Sequence, residues 1–106
     1  MPQLQRLSAG LLSDSSASVN DRVRSLQHRL ESNRNLKILD LYHSHLGDEG
    51  IRLIAHALTG ITTTIEILNV SSNEITSNSL DDITRILESS SQVKHVNVQY
   101  NSDGNL

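Results

Sequence analysis

Aliphatic residues recur along the chain in two alternating patterns. Leu36, Leu39 and Leu41 carry the spacing of a strand with one buried face, because successive strand side chains point to opposite faces. Ile51, Ile54 and Leu58 then recur at the spacing of one helical face. The pattern therefore predicts a strand followed by a helix between residues 36 and 58.

This strand-and-helix pattern returns further along the chain in one register. Adding 29 to each marker gives Ile65, Leu68 and Val70 for the strand, then Leu80, Ile83 and Leu87 for the helix. Adding 28 to the second set of strand markers gives a further strand pattern at Val93, Val96 and Val98. Self-similarity at this period is typical of a solenoid, in which one repeat cannot fold alone and must stack on its neighbours.

The N-terminal third fits the repeat only in part. Subtracting 28 from the first helix places Val23, Leu26 and Leu30 on a helical face, whereas the leucines before residue 13 settle into no register. We predict an N-terminal segment with a capping helix over residues 1–35, and two full repeats and one partial repeat over 36–106. The helix starts are expected at Asn20, Asp48 and Ser77, which are equivalent positions with good N-cap residues.

Composition narrows the class of function. The net charge of −3 and pI near 5.9 give no footprint for nucleic acid or an anionic membrane, and no segment approaches a membrane span. Cysteine is absent, so disulfides and thiolate chemistry are excluded. With no phosphate-binding loop either, we expect a cytoplasmic, non-catalytic protein without a cofactor.

The order of these markers resembles the leucine-rich repeat of the ribonuclease-inhibitor type. The resemblance is carried by Leu36-x-x-Leu39-x-Leu41-x-x-Ser44-x-Leu46, with Ser44 in place of the usual Asn, and by Ile65-x-x-Leu68-x-Val70-x-x-Asn73 and Val93-x-x-Val96-x-Val98-x-x-Asn101. It implies an α/β fold, a short curved solenoid with parallel strands on the concave side and helices on the convex side. It also implies that Asn73 and Asn101 point inward and bond to backbone, a role that Ser44 fills only partly.

Most members of this family bind proteins, which directs attention to the concave side. The strand positions that point outward, and those just after the strands, carry both tyrosines of the chain, and tyrosine is enriched in binding hot spots. We therefore predict a protein partner and a partner-binding face that comprises Asp40, Tyr42, His43, Asn69, Ser71, Asn97, Gln99 and Tyr100.

Two other hypotheses remain open from the sequence. The chain could be an assembly segment, part of a larger solenoid or a homodimer joined through its C-terminal edge strand, since an uncovered strand edge invites pairing. Less favoured is a metal-binding protein built on the His43-x-His45 pair, because two imidazoles can lie on one face of an extended segment. Ordinary surface histidines explain that pair more simply, and no metal site is expected.

Overall fold

The computed structural model describes residues 6–8, 17–33, 35–59, 64–89 and 92–101. Its strands form one parallel sheet in chain order, β1 (Arg6–Ser8), β2 (Ile38–Asp40), β3 (Ile67–Asn69) and β4 (His95–Asn97). The helices are α1 (Val19–Ser32), α2 (Gly47–Thr59) and α3 (Leu80–Ser89), the last preceded by a 3-10 turn over Ser77–Ser79. This α/β arrangement of parallel strands and intervening helices confirms the predicted short solenoid.

The core lies between the sheet and the helices and is aliphatic. Leu39 and Leu68 are neighbours in the sheet register, and both are buried. Ile51, Ile54 and Leu58 project from α2 toward them, and each keeps at most 1% of its surface exposed. The spacing that predicted a strand face and a helix face therefore describes two sides of one packed layer.

Strand β1 is the element that the sequence pattern misses. Leu7 pairs with Leu39, and the chain between these two residues is longer than the chain between the later partners, from Leu39 to Leu68 and from Leu68 to Val96. Because this connection is longer, Leu7 does not fall at the repeat spacing, and the strand cannot be recognised among the N-terminal leucines. The N-terminal segment therefore adds a strand to the sheet as well as the helix α1.

The helices begin close to the predicted positions, but other residues cap them. Ser18 caps α1 and accepts a hydrogen bond from the backbone N–H of Asp21 at 3.1 Å, so Asn20 lies inside the first turn. Asp48 likewise lies in the first turn of α2. Thr76, one residue before the predicted Ser77, caps the 3-10 turn. Asn33 ends α1.

Asp48 uses its carboxylate to join two repeats. It accepts hydrogen bonds from the backbone N–H and the hydroxyl of Thr76, at 2.9 and 2.7 Å, and from the hydroxyl of Ser79. Burial raises the pKa of Asp48, but these hydrogen bonds outweigh it and hold the pKa below its ordinary value of 3.8. The start of α2 is thereby fixed to the start of the next helical segment.

Buried asparagines join successive turns. The Asn73 side-chain oxygen accepts the N–H groups of Ser44 and Leu46, at 2.8 and 3.3 Å, and its amide donates to the carbonyl oxygens of Leu41 and Ser71. Asn101 repeats this one layer on, accepting the N–H groups of Asn73 and Ile75. We call this chain of side-chain amides the asparagine ladder. It satisfies backbone groups that no strand partner reaches.

Where serine replaces asparagine, an arginine enters the interior. Ser44 is fully buried, but its short side chain reaches only its own turn. Arg22 of α1, itself 8% exposed, donates to the carbonyl oxygens of Ser44 and His45 at 2.6 and 3.2 Å. Helix α1 is therefore tied to the turn after β2 by charge-assisted hydrogen bonds, which are stronger than neutral ones.

Replacing the central ladder residue tests its contribution to stability. Asn73→Ala leaves buried N–H and carbonyl groups of two repeats without their partner, at about 1–3 kcal/mol for each group that water does not reach. We expect the free energy of unfolding in urea to fall by about 3 kcal/mol. Asn78→Ala, at an exposed position of the 3-10 turn, should change it by less than about 0.5 kcal/mol. Equal effects of the two variants would contradict a structural role for the ladder.

Acid titration tests the joint at Asp48. Because its pKa in the folded state lies below 3.8, charged Asp48 stabilises the fold above that pH, and this contribution is lost as pH falls through the folded-state pKa. We expect Asp48→Asn to reduce the free energy of unfolding at neutral pH and to approach the wild type well below pH 3.8. Glu49→Gln, which removes an adjacent carboxylate, is the control. A difference between Asp48→Asn and the wild type that is constant with pH would refute this account.

Candidate protein-binding surface

The sheet surface opposite the helices, the concave face, has an apolar centre. Ile38 and Ile67 lie side by side in the sheet register and project onto this face, and Ile67 is 39% exposed. A shallow depression of about 200 Å³ surrounds them, lined by Arg6, Ile38, Asp40, Ile67, Asn69, His95 and Asn97. The concave face therefore offers room for an apolar side chain with polar groups around it.

The polar residues Asp40, Asn69 and Asn97 form one column across this face and each holds a turn. Every one accepts the backbone N–H of the residue two positions later, at 3.1, 3.0 and 3.0 Å respectively, which is the Asx-turn arrangement. Asp40 also forms an ion pair with Arg6 and accepts the side-chain amide of Asn69 at 3.1 Å. Many hydrogen-bonding atoms of this column are thus already bound to other groups of the protein.

The structure corrects the placement of Ser71. The sequence places Ser71 among the outward residues, but only 4% of its surface is exposed. Its hydroxyl donates to the side-chain oxygen of Asn69 at 2.7 Å, so this short side chain lies against its own turn. Ser71 therefore supports the turn and does not present its side chain to a partner.

An aromatic cluster follows β2 at the edge of the concave face. The ring centroids of Tyr42 and His43 lie 5.9 Å apart, and those of His43 and His45 lie 4.8 Å apart. His45 is held by the next repeat, since its Nδ1 lies 3.1 Å from the carboxylate of Glu74. Tyr42 remains 57% exposed. The cluster presents apolar ring area and polar tips together on the surface.

The residues after the strands adopt an unusual backbone conformation. His43, Ser72 and Tyr100 occupy equivalent positions in successive repeats and have φ of 52°, 55° and 58°. His45 and Glu74 form a second equivalent pair in the same region, with φ of 52° and 62°. A non-glycine residue costs about 1–2 kcal/mol there. The asparagine ladder, which binds the backbone of these turns, holds them in place.

The remaining predicted contact residues lie on the surface beside this edge. Tyr100 is 80% exposed, and Gln99 before it is also exposed. Parallel strands are about 4.8 Å apart, so the turns that carry Tyr42 and Tyr100, two strands apart, are separated by about 10 Å. Between them, the surface is polar at Ser72. The two tyrosines and His43 are thus presented on one edge of one face.

Several residues of this surface were not predicted as contacts. Ile67 and His95 follow Ile38 in the repeat register, so the sequence held the signal for them. Glu74 is the equivalent of His45 in the next repeat and could have been found in the same way. Arg6 gave no such signal, because it lies on the strand whose register is broken.

Two further observations concern the His43-x-His45 pair and the helices. Among the described residues, no group of three or more His, Asp and Glu side chains is arranged to hold a metal ion. His45 of the His43-x-His45 pair contacts Glu74 instead. None of the described helices is long and apolar enough to cross a membrane.

Comparison with known proteins agrees with the repeat pattern. Residues 32–55 and 63–83 match the family model described as a leucine-rich repeat. Among solved structures, the chain is similar to leiomodin-1 actin-binding site 2, with a TM-score of 0.70 and 23% sequence identity over 92% of this chain. The chain spans about half, 54%, of that structure's length. At this identity the similarity concerns the fold.

The parallel sheet, the stacked helices and the asparagine ladder define a leucine-rich-repeat solenoid. Both matched segments combine a strand with at least the start of the following helix. The chain therefore contains leucine-rich repeats, as the spacing of its aliphatic residues predicts. The ribonuclease-inhibitor subtype stays a prediction.

Proposed function

We propose that this protein binds a protein partner through its concave face, centred on Tyr42, His43 and Tyr100, and catalyses no reaction. The observation that carries the proposal is the exposure of both tyrosines, 57% and 80%, on one edge of that face. Tyrosine buries a large ring with little loss of side-chain freedom and keeps a polar tip. Their turns are already fixed, so little ordering is required when a partner binds.

The neighbouring depression supplies the second part of the proposed site. Ile38 and Ile67 offer apolar surface, and His95 and Asn97 flank it. The side-chain oxygen of Asn97 is used within its own turn, whereas its amide donates to no other described residue. This amide can therefore donate to a carbonyl or carboxylate of the partner. The site combines an apolar centre with directional polar groups, as protein interfaces do.

The size of the face limits how a partner binds. Four strands at about 4.8 Å spacing give a sheet about 14 Å wide between its outer strands. A standard interface buries about 800 Å² on each side, which requires the turns with the tyrosines as well as the sheet. We propose a peptide segment or the corner of a globular protein as the bound element, and a cytoplasmic location for the complex.

Actin is the first partner to test, because the leiomodin-1 segment that is similar in fold is an actin-binding site. We expect a variant with Tyr42→Ala, His43→Ala and Tyr100→Ala to lose binding by at least about tenfold, as truncation of hot-spot residues does. The measurement is cosedimentation with filaments and fluorescence titration of monomeric actin. Far-ultraviolet circular dichroism during urea unfolding should show stability within about 1–2 kcal/mol of the wild type.

The matched control carries Thr84→Ala and Glu88→Ala on the exposed side of α3 and should bind as the wild type does. Equal binding by the concave triple variant and this control would contradict the proposed face. Failure of the wild type to bind either form of actin would reject actin. The same variants would then be tested on a partner isolated with the wild-type chain.

A second candidate function, self-association through the C-terminal layer, is favoured by matched positions in the repeats. Ile51 and Leu58 of α2 are 1% exposed, whereas their equivalents in α3, Leu80 and Leu87, are 45% and 42% exposed. Val96 of β4 is only partly buried, while its equivalent Leu68 is 1% exposed. The residues of one more layer, or the same face of a second copy, would cover this apolar surface.

Sedimentation velocity over a range of protein concentrations tests this candidate. If two copies join through these faces, the wild type should form a dimer that dissociates in a variant with Leu80→Gln and Leu87→Gln, because apolar burial at the contact is removed. Thr84→Gln, an exposed substitution on the same helix, should preserve the dimer. A wild type that stays monomeric at the highest concentration would reject self-association.

A further inference from the structure

A groove lies between helices α1 and α2, on the convex side and opposite the concave face. Its volume is about 240 Å³. Val23, Leu53 and Ala57 provide its apolar surface, and Val23 and Ala57 are otherwise buried. Asn20, Arg24, Gln27 and His56 form its polar rim. The groove has the size to accept one aliphatic side chain.

The groove is open because a small residue stands at a contact position between helices. Ala57 is the residue of α2 that lies against α1 at this place. Its equivalent in α3, one repeat later, is Ile86, which is 1% exposed. The larger isoleucine fills in the third helix the space that alanine leaves open in the second. Residue size at this position therefore distinguishes the α1–α2 pair from the α2–α3 pair.

Arginine and histidine side chains lie beside the groove on both helices, although the chain carries a net charge of −3. Arg24 and Arg52 occupy equivalent positions in α1 and α2, and so do His28 and His56 one helical turn later. All four are exposed. No acidic side chain lines the groove, and neither arginine forms an ion pair with another residue that the structure describes.

We propose that this groove is a second binding site, which takes an acidic peptide segment by inserting one aliphatic side chain between α1 and α2. Carboxylates beside that side chain would then pair with Arg24 and Arg52, and arginine is well suited to carboxylates because its planar guanidinium donates to both oxygens. An acidic amphipathic segment in an apolar groove is a recurring mode of recognition. The site is separate from the concave face, so one protein can be bound on each side of the sheet-and-helix layer.

The apolar floor favours a peptide over a nucleic acid. Nucleic-acid affinity comes mainly from contacts of many cations with phosphates, and this surface offers two arginines. Val23, Leu53 and Ala57 would add nothing to a phosphate contact, whereas an aliphatic side chain removes their exposed surface from water. The chemistry of the groove thus requires a ligand that is both acidic and apolar.

Fluorescence anisotropy with a labelled synthetic peptide tests the proposal on the full chain. The probe is a short peptide of glutamates flanking a single leucine, and two related peptides replace the leucine by serine or the glutamates by glutamines. We expect the first peptide to bind, and each related peptide to bind at least about fivefold more weakly. Absence of binding by the first peptide would overturn the proposal.

Variants of the protein locate the bound peptide. Arg24→Gln with Arg52→Gln should weaken binding by about fivefold, the effect of two partly exposed charge pairs. Arg29→Gln with Arg85→Gln removes the same charge outside the groove and should leave the affinity unchanged. An equal loss in both pairs would show attraction to charge alone and overturn the assigned site.

Filling the groove provides an independent test. Ala57→Ile copies the residue that the next repeat uses at this position, and we expect it to abolish peptide binding while an unfolding curve confirms that the chain stays folded. Should Ala57→Ile fail to fold, the two arginine pairs and the serine peptide decide the outcome. Single-stranded RNA serves as a competitor for the labelled peptide. If the RNA binds equally well and its binding depends on the same residues, the site takes a nucleic acid and the peptide proposal is rejected. The concave triple variant should bind the peptide normally, which separates this proposal from the concave one.

Discussion

The hydrogen bonds of the buried asparagine ladder are the constraint on which the rest of the structure depends. Each turn that follows a strand points backbone groups into the interior, where water does not reach them. Asn73 and Asn101 each satisfy backbone groups of the turn before their own, and Asn101 also binds the backbone N–H of Asn73. These hydrogen bonds can form only when the repeats stack, so the folding of one layer is coupled to that of the next. Arg22 joins helix α1 to one of these turns through a hydrogen bond from its guanidinium group to a backbone carbonyl oxygen.

Most of the fold can be predicted from the sequence, because a solenoid repeats one arrangement of strand and helix. Aliphatic spacing gave the strands from residue 36 onward and all three helices, since each layer buries the same positions. Strand β1 could not be found in this way, because a connection of different length carries Leu7 out of register. The N-cap residues were misplaced for another reason. Ser18 and Thr76 act through the geometry of single turns, which hydrophobic periodicity does not describe.

The candidate site was only partly predictable. Alternation along a strand assigns Tyr42 to the surface, and the repeat register extends this to neighbouring strands. It does not reveal that the hydroxyl of Ser71 binds Asn69 and that Ser71 is buried. It also does not distinguish side chains that stay exposed on the surface from those that hold their own turn, as Asn69 does. The groove on the convex side depends on the size difference between Ala57 and Ile86. This difference is visible in the sequence, but it indicates a groove only when the packing of the helices is known.

The left-handed turns have a consequence for how such a protein can change. Positions with positive φ are usually occupied by glycine, which has no side chain that a partner could contact. Here the backbone of each turn is held from the inside, so histidine, serine and tyrosine occupy equivalent sites at residues 43, 72 and 100. The buried residues that fix the conformation and the outward side chains on the surface are therefore separate parts of the sequence. Each repeat provides a position where mutation can explore new specificities while the framework remains intact.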